Sequence, residues 1–102
     1  HRELGERPGV VSGLMNIGSI YQRLKDYSKA LQYYEESLAL ARELGNQSHA
    51  ARALHQIGTL FKAKAAPELA IIFFKASVNT YEGIRQENQA FEQTLQDSFT
   101  DL

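Results

Sequence analysis

Few side chains in this sequence could do covalent or metal chemistry, and their spacing argues against it. Two imidazoles on one helical face could hold a metal ion or pass a proton, but the interval from His49 to His55 puts them on different faces. The chain has no cysteine, and no acidic cluster shows metal-ligand spacing. No Gly-x-Ser-x-Gly elbow and no phosphate-cradling glycine loop occurs; the glycines fall inside or at the ends of helical segments. We therefore expect no enzyme activity, no catalytic residue, no metal and no cofactor.

Non-covalent recognition is better served. The side-chain amides of Asn16 and Gln56 offer a donor and an acceptor each, which suits a peptide backbone or a neighbouring helix equally. Arg23, Arg52 and Lys62 add positive charge. The pairs Tyr33-Tyr34 and Phe73-Phe74 could stack on bases, but their helical spacing favours packing against the protein itself. A formal net charge of −1 and the lack of a basic run supply no field for nucleic acid. No apolar run is long enough to span a bilayer, so no membrane association is expected, and the absence of cysteine suits a reducing cytoplasm.

The elements that position these residues follow from an internal repeat. Shifted by forty residues, Arg2-Glu3-Leu4-Gly5 falls on Arg42-Glu43-Leu44-Gly45. Leu14, Ile17 and Gly18 fall on Leu54, Ile57 and Gly58, Ala30 on Ala70, and Ser37 on Ser77. Tyr21 meets Phe61, and Tyr34 meets Phe74. His55 meets Met15, which argues for an ordinary structural or surface role.

Each copy reads as two helices. Val10, Leu14, Ile17, Tyr21 and Leu24 form one apolar stripe; Tyr27, Ala30, Leu31, Tyr34, Leu38 and Ala41 form the next. Lys25-Asp26 separates them, Gly45 suits a left-handed helix end, and Asn46 suits the following N-cap. The second copy runs through Ala50, Leu54, Ile57 and Phe61, then Ala70, Ile71, Phe74, Val78 and Tyr81. Pro8 and Pro67 suit first helical turns. Gly18 and Gly58 disfavour a helix interior by about 1 kcal/mol each, so a close helix crossing must offset them, with Ala30 and Ala70 opposite.

The expected architecture is all-α: a solenoid of helical hairpins, two repeats plus a C-terminal capping helix. Residues 1–7 read as the end of a preceding repeat helix or as an edge, 8–45 and 46–85 as the two repeats, and 86–102 as a capping or degenerate repeat helix. In that last segment Phe91, Leu95, Phe99 and Leu102 mark one face, while Asp97 and Ser98 stand where the repeat would have Ile and Gly. The start at His1-Arg2-Glu3-Leu4, with no initiator methionine, reads as a piece of a longer protein.

At these residues the sequence resembles the tetratricopeptide repeat family. The motif of a large residue, Leu-Gly, Tyr, then Ala with an aromatic four later is matched by Leu14-x-x-Ile17-Gly18-x-x-Tyr21 with Ala30-x-x-x-Tyr34. It is matched again by Leu54-x-x-Ile57-Gly58-x-x-Phe61 with Ala70-x-x-x-Phe74. The period exceeds the family's usual one of about 34 residues and lacks its closing proline, as in the long repeats of kinesin light chains and Pins-like scaffolds. The phrase from Tyr34 to Gly45 looks like long bacterial arrays. The stretch from Ala70 to Gln86 is similar to the end of arrays that precede a caspase-like CHAT domain, which implies a multidomain parent.

The resemblance implies a concave groove lined by the first helix of each hairpin, holding a protein, peptide or partner helix. Beside the apolar stripe, the candidate groove residues are Ser12, Met15, Asn16, Ser19, Gln22 and Arg23 in the first copy. In the second they are Arg52, His55, Gln56, Thr59 and Lys62. Their mixed polar, cationic character suits an acidic peptide, although each also reads as an ordinary solvated position. Related long arrays use an Asn at the place of Asn16 to read peptide backbone. The Lys and Asn set of the chaperone-tail clamp is missing, with Met15 and Ser19 where its first pair would stand. The rival reading is a structural spacer or oligomerisation element stacking on itself or on neighbouring repeats: the stacking face around Leu4, Val10, Val11 and Leu14 invites self-association or exchange of the last helix between chains.

Overall fold

The breaks at Lys25-Asp26, Gly45-Asn46 and Ala65-Ala66 are three turns of one kind. They divide the chain into α1 (Arg7–Arg23), α2 (Tyr27–Glu43), α3 (Gln47–Ala63) and α4 (Pro67–Thr100). The computed structural model describes residues 7–100, with side chains from 9 to 98, and among these there is no strand. Leu4 and the rest of 1–6, like the side chains of Phe99 and Leu102, lie outside the described residues.

In each turn the middle residue takes a left-handed conformation: Lys25 at φ 64°, Gly45 at φ 69° and Ala65 at φ 60°. Paired bonds close each helix end. The Lys25 N–H donates to the Gln22 carbonyl and the Asp26 N–H to that of Tyr21, both at 2.9 Å. Gly45 and Asn46 repeat this on Arg42 and Ala41, and Ala65 and Ala66 on Lys62 and Phe61. This is the Schellman ending, which satisfies carbonyls that a helix terminus would otherwise orphan. Asp26 then accepts from the Lys29 N–H and Asn46 from the His49 N–H, capping α2 and α3.

Successive helices pack in sequence order, α1 on α2, α2 on α3 and α3 on α4, with a smaller contact between α1 and α3. The glycine argument holds in a sharper form. A Cβ on Gly18 would lie 2.6 Å from the Tyr34 ring and 3.3 Å from the Ala30 carbonyl oxygen, and one on Gly58 would lie 2.6 Å from the Phe74 ring. An aromatic ring therefore lies directly on each glycine, with the Ala30 carbonyl beside it at Gly18. Each hairpin carries a second matching fastening: Ser37 donates to the Val11 carbonyl at 3.2 Å, and Ser77 to the Ala51 carbonyl at 2.8 Å, all four residues being buried.

The expected stripes of α2 and α3 are seated as read, with Ala30, Tyr34, Ala41, Ala50, Leu54 and Ile57 buried. Those of the outer helices are not. In α1 the buried line is Val11, Met15 and Gly18, while Ile17 and Leu24 are 39% and 69% exposed. In α4, Ala70 and Ser77 are buried, while Ile71, Val78 and Tyr81 are exposed. The physical reason is that α2 and α3 have neighbours on both sides, whereas α1 and α4 lack one each among the described residues. Of the residues expected to be exposed on α1, Val11 is fully buried and Val10 and Leu14 are half-buried; the exposed large apolar residues of α1 are instead Ile17, Ile20 and Leu24.

The segment from residue 86 also departs from expectation. It forms no separate capping helix but continues α4 without a break to Thr100. Where α2 ends in Leu44-Gly45-Asn46, α4 has Ile84-Arg85-Gln86, with neither a glycine for the left-handed turn nor a capping Asn. Every described side chain from Arg85 to Ser98 is exposed, so this part of the helix covers no hydrophobic face.

Candidate functional site

A groove of about 570 Å³ opens between α1 and α3, lined by Asn16, Ser19, Ile20, Gln22, Arg23, Tyr34, Gln56, Thr59 and Ala63. Six of these were expected from the sequence: Asn16, Ser19, Gln22, Arg23, Gln56 and Thr59. Helical spacing brings them together because α1 and α3 run side by side, each presenting the face next to its buried line.

The other expected residues are placed elsewhere. Met15 is only 3% exposed and belongs to the core with Val11, Ala41, Ala50 and Ala53. The small alanines of α3 let that helix close over it, so Met15 is a packing residue and not a groove residue. Its counterpart His55 is exposed, and its ring lies 5.2 Å from that of Phe74. Ser12 shares a hydrogen bond of 3.2 Å with Nε2 of half-buried His49, tying α1 to the start of α3. Arg52 and Lys62 are exposed and do not line the groove.

Ile20, Tyr34 and Ala63 were missed. Tyr34 lies in the core with only its hydroxyl reaching polar partners: it donates to Gln22 Oε1 at 2.8 Å and lies 3.3 Å from Ser19 Oγ. Burial pushes its phenol above the ordinary value, partly countered by the bond with Ser19. A tyrosine that must pack on Gly18 yet stay bonded was a signal available in the sequence, since the second copy has Phe74 there. On the α3 side, Thr59 donates to the backbone carbonyl of Gln56 at 2.7 Å and lies 3.5 Å from its side-chain Oε1.

The adjacent aromatic residues are occupied with one another. Tyr21 stacks on Tyr33 at 5.6 Å, and their counterparts Phe61 and Phe73 stack at 5.5 Å. Lys29 lies over the Tyr21 ring and Lys64 over that of Phe61. Among the described residues there is no group of three or more His, Cys, Asp or Glu side chains able to hold a metal, and no helix is long and apolar enough to cross a membrane.

Compared with known proteins, residues 10–83 match the tetratricopeptide repeat. No curated protein and no solved structure matches the chain. Tetratricopeptide repeats are non-enzymatic scaffolds that generally mediate protein–protein interaction. With both glycine crossings and the whole groove inside the matched span, which covers more than half of the chain, the chain belongs to the tetratricopeptide repeat family.

Proposed function

We propose that the chain binds an extended peptide or partner helix in the groove between α1 and α3. The observation that carries this reading is the convergence of Asn16, Gln22 and Gln56, three amides on two helices, around one open groove with Arg23 at its side. Amides pair with a peptide backbone in either sense, and Arg23 favours an acidic side chain. The reading extends to a long-period repeat array within a larger multidomain protein.

A displayed random-peptide library selected on the folded chain tests it. Selected peptides should be enriched in Asp and Glu. Their binding should weaken roughly tenfold in Asn16→Ala/Gln56→Ala and a few-fold in Arg23→Glu, but be unchanged in Lys75→Glu on α4. Peptides indifferent to all three groove substitutions would overturn the reading.

A second reading, self-stacking, is favoured by a different observation. Ile17, Ile20 and Leu24 are 39%, 47% and 69% exposed along one side of α1, while Ile71 and Val78 are exposed on α4.

A further inference from the structure

The way α3 sits on α2 supplies an internal template for what the two uncovered faces fit. Ile57 and Leu60 of α3 are buried in one cluster with Ala30 and Tyr34 of α2, and Leu31 and Leu38 pack against that cluster. Forty residues before Ile57 and Leu60 stand Ile17 and Ile20; forty residues after Leu31, Tyr34 and Leu38 stand Ile71, Phe74 and Val78. Both sets keep the apolar character of the template: Ile17 and Ile20 at one end of the stack and Ile71 and Val78 at the other are exposed, while Phe74 is half-buried with its ring on Gly58. On α4 the seat is an apolar depression of about 240 Å³ lined by Ile71, Phe74, Lys75, Val78 and Asn79. It occupies the positions that α3 covers on α2.

We infer that the occupant of the α4 face is α1 of a second copy of this chain, docked as α3 docks on α2, so that copies add head to tail. The inference rests on the self-stacking reading and specifies its faces and polarity. One face is used by each partner, and they are different faces. The contact is therefore heterologous and leaves one free face at each end of any assembly, so growth does not stop at a dimer. Likeness to the α2–α3 interface argues for this occupant over an unrelated helix, because the same residue types at the same spacing already solve the packing once within the chain.

Sedimentation velocity over a concentration series tests it, using Ile17→Glu on the α1 face and Val78→Glu on the α4 face. Neither residue lines the groove. The wild-type chain should grow with concentration beyond a dimer, and each variant alone should remain monomeric. An equimolar mixture of the two should form a one-to-one dimer and stop there, because each retains the face the other lacks. Circular dichroism checks folding, with Leu24→Glu and Ile71→Glu as substitutes at still exposed positions. A wild-type chain that stays monomeric throughout would overturn both self-stacking and this geometry. A wild type that stops at a dimer, a single variant that still self-associates, or a mixture that stays monomeric while the wild type grows would overturn the head-to-tail geometry and leave self-stacking standing.

Discussion

At the scale of single residues, the sharpest constraint is the aromatic ring resting on a glycine. Because a Cβ at Gly18 would meet the Tyr34 ring at 2.6 Å, Gly18→Leu must displace a fully packed side chain. We expect a loss of about 1–3 kcal/mol and a fall of several degrees in melting temperature. Gly13, in the same helix with nothing within 4 Å of an added Cβ, is the control. Calorimetry should show Gly13→Ala unchanged or stabilised by up to about 1 kcal/mol, and equal effects at the two positions would refute the crossing argument. Tyr34 carries a second consequence. Its phenol titrates higher when folded than when unfolded, so its contribution is fully present below the unfolded value and is lost as pH rises through the folded one. Tyr34→Phe should cost about 1 kcal/mol at neutral pH, through the bonds to Gln22 and Ser19, and should flatten the alkaline decline seen by denaturant titration. An unchanged alkaline slope would count against this account.

At the scale of the helices, what was legible in the sequence depends on how many neighbours a helix has. The stripes of α2 and α3 could be read directly, since both sides of each helix are covered and every apolar position on the stripe is buried or half-buried. Periodicity reports that a helix has an apolar face, but not whether something lies against it. Ile17 and Val78 were therefore expected in the core and stand in solvent. Met15 erred in the opposite sense, because a flexible apolar side chain beside the stripe reads the same whether it faces a groove or the alanines of a neighbouring helix. The end of α4 was misread for a local reason: an amphipathic pattern after residue 86 looked like a new helix, although no stop signal preceded it. Supplying one should act. In Arg85→Gly/Gln86→Asn, which copies Gly45-Asn46, α4 should break, and small-angle scattering should report a shorter longest dimension. The same dimension in both proteins would mean that the missing turn residues do not govern the length of α4.

At the scale of the whole molecule, the chain is a thin, elongated slab of 59 × 40 × 17 Å, and α4 alone accounts for most of its length. The groove and the stacking faces are differently placed on that slab. The groove runs between α1 and α3, whereas the uncovered faces lie at its two ends, so occupying one need not exclude the other. Only Ile20 belongs to both, exposed on α1 and lining the groove. Part of the groove's lining was legible because Asn16 and Gln56, and Ser19 and Thr59, lie at equivalent steps along two helices of one design. The contribution of Tyr34 was hidden because a residue of α2 reaches the groove only once its ring has been laid across Gly18.

The unbroken passage of α4 through Gly83 makes the helix a crank as well as a wall of the groove's scaffold. From Ile84 to Thr100 it advances roughly 25 Å beyond the last hairpin, turning by about 100° with each residue. Its outer end is thus held at a set distance and also at a set angular phase relative to the hairpins. Adding one residue to this stretch would swing whatever is carried there to another side of the stack, whereas adding seven would nearly restore its bearing and lengthen the arm by about two turns.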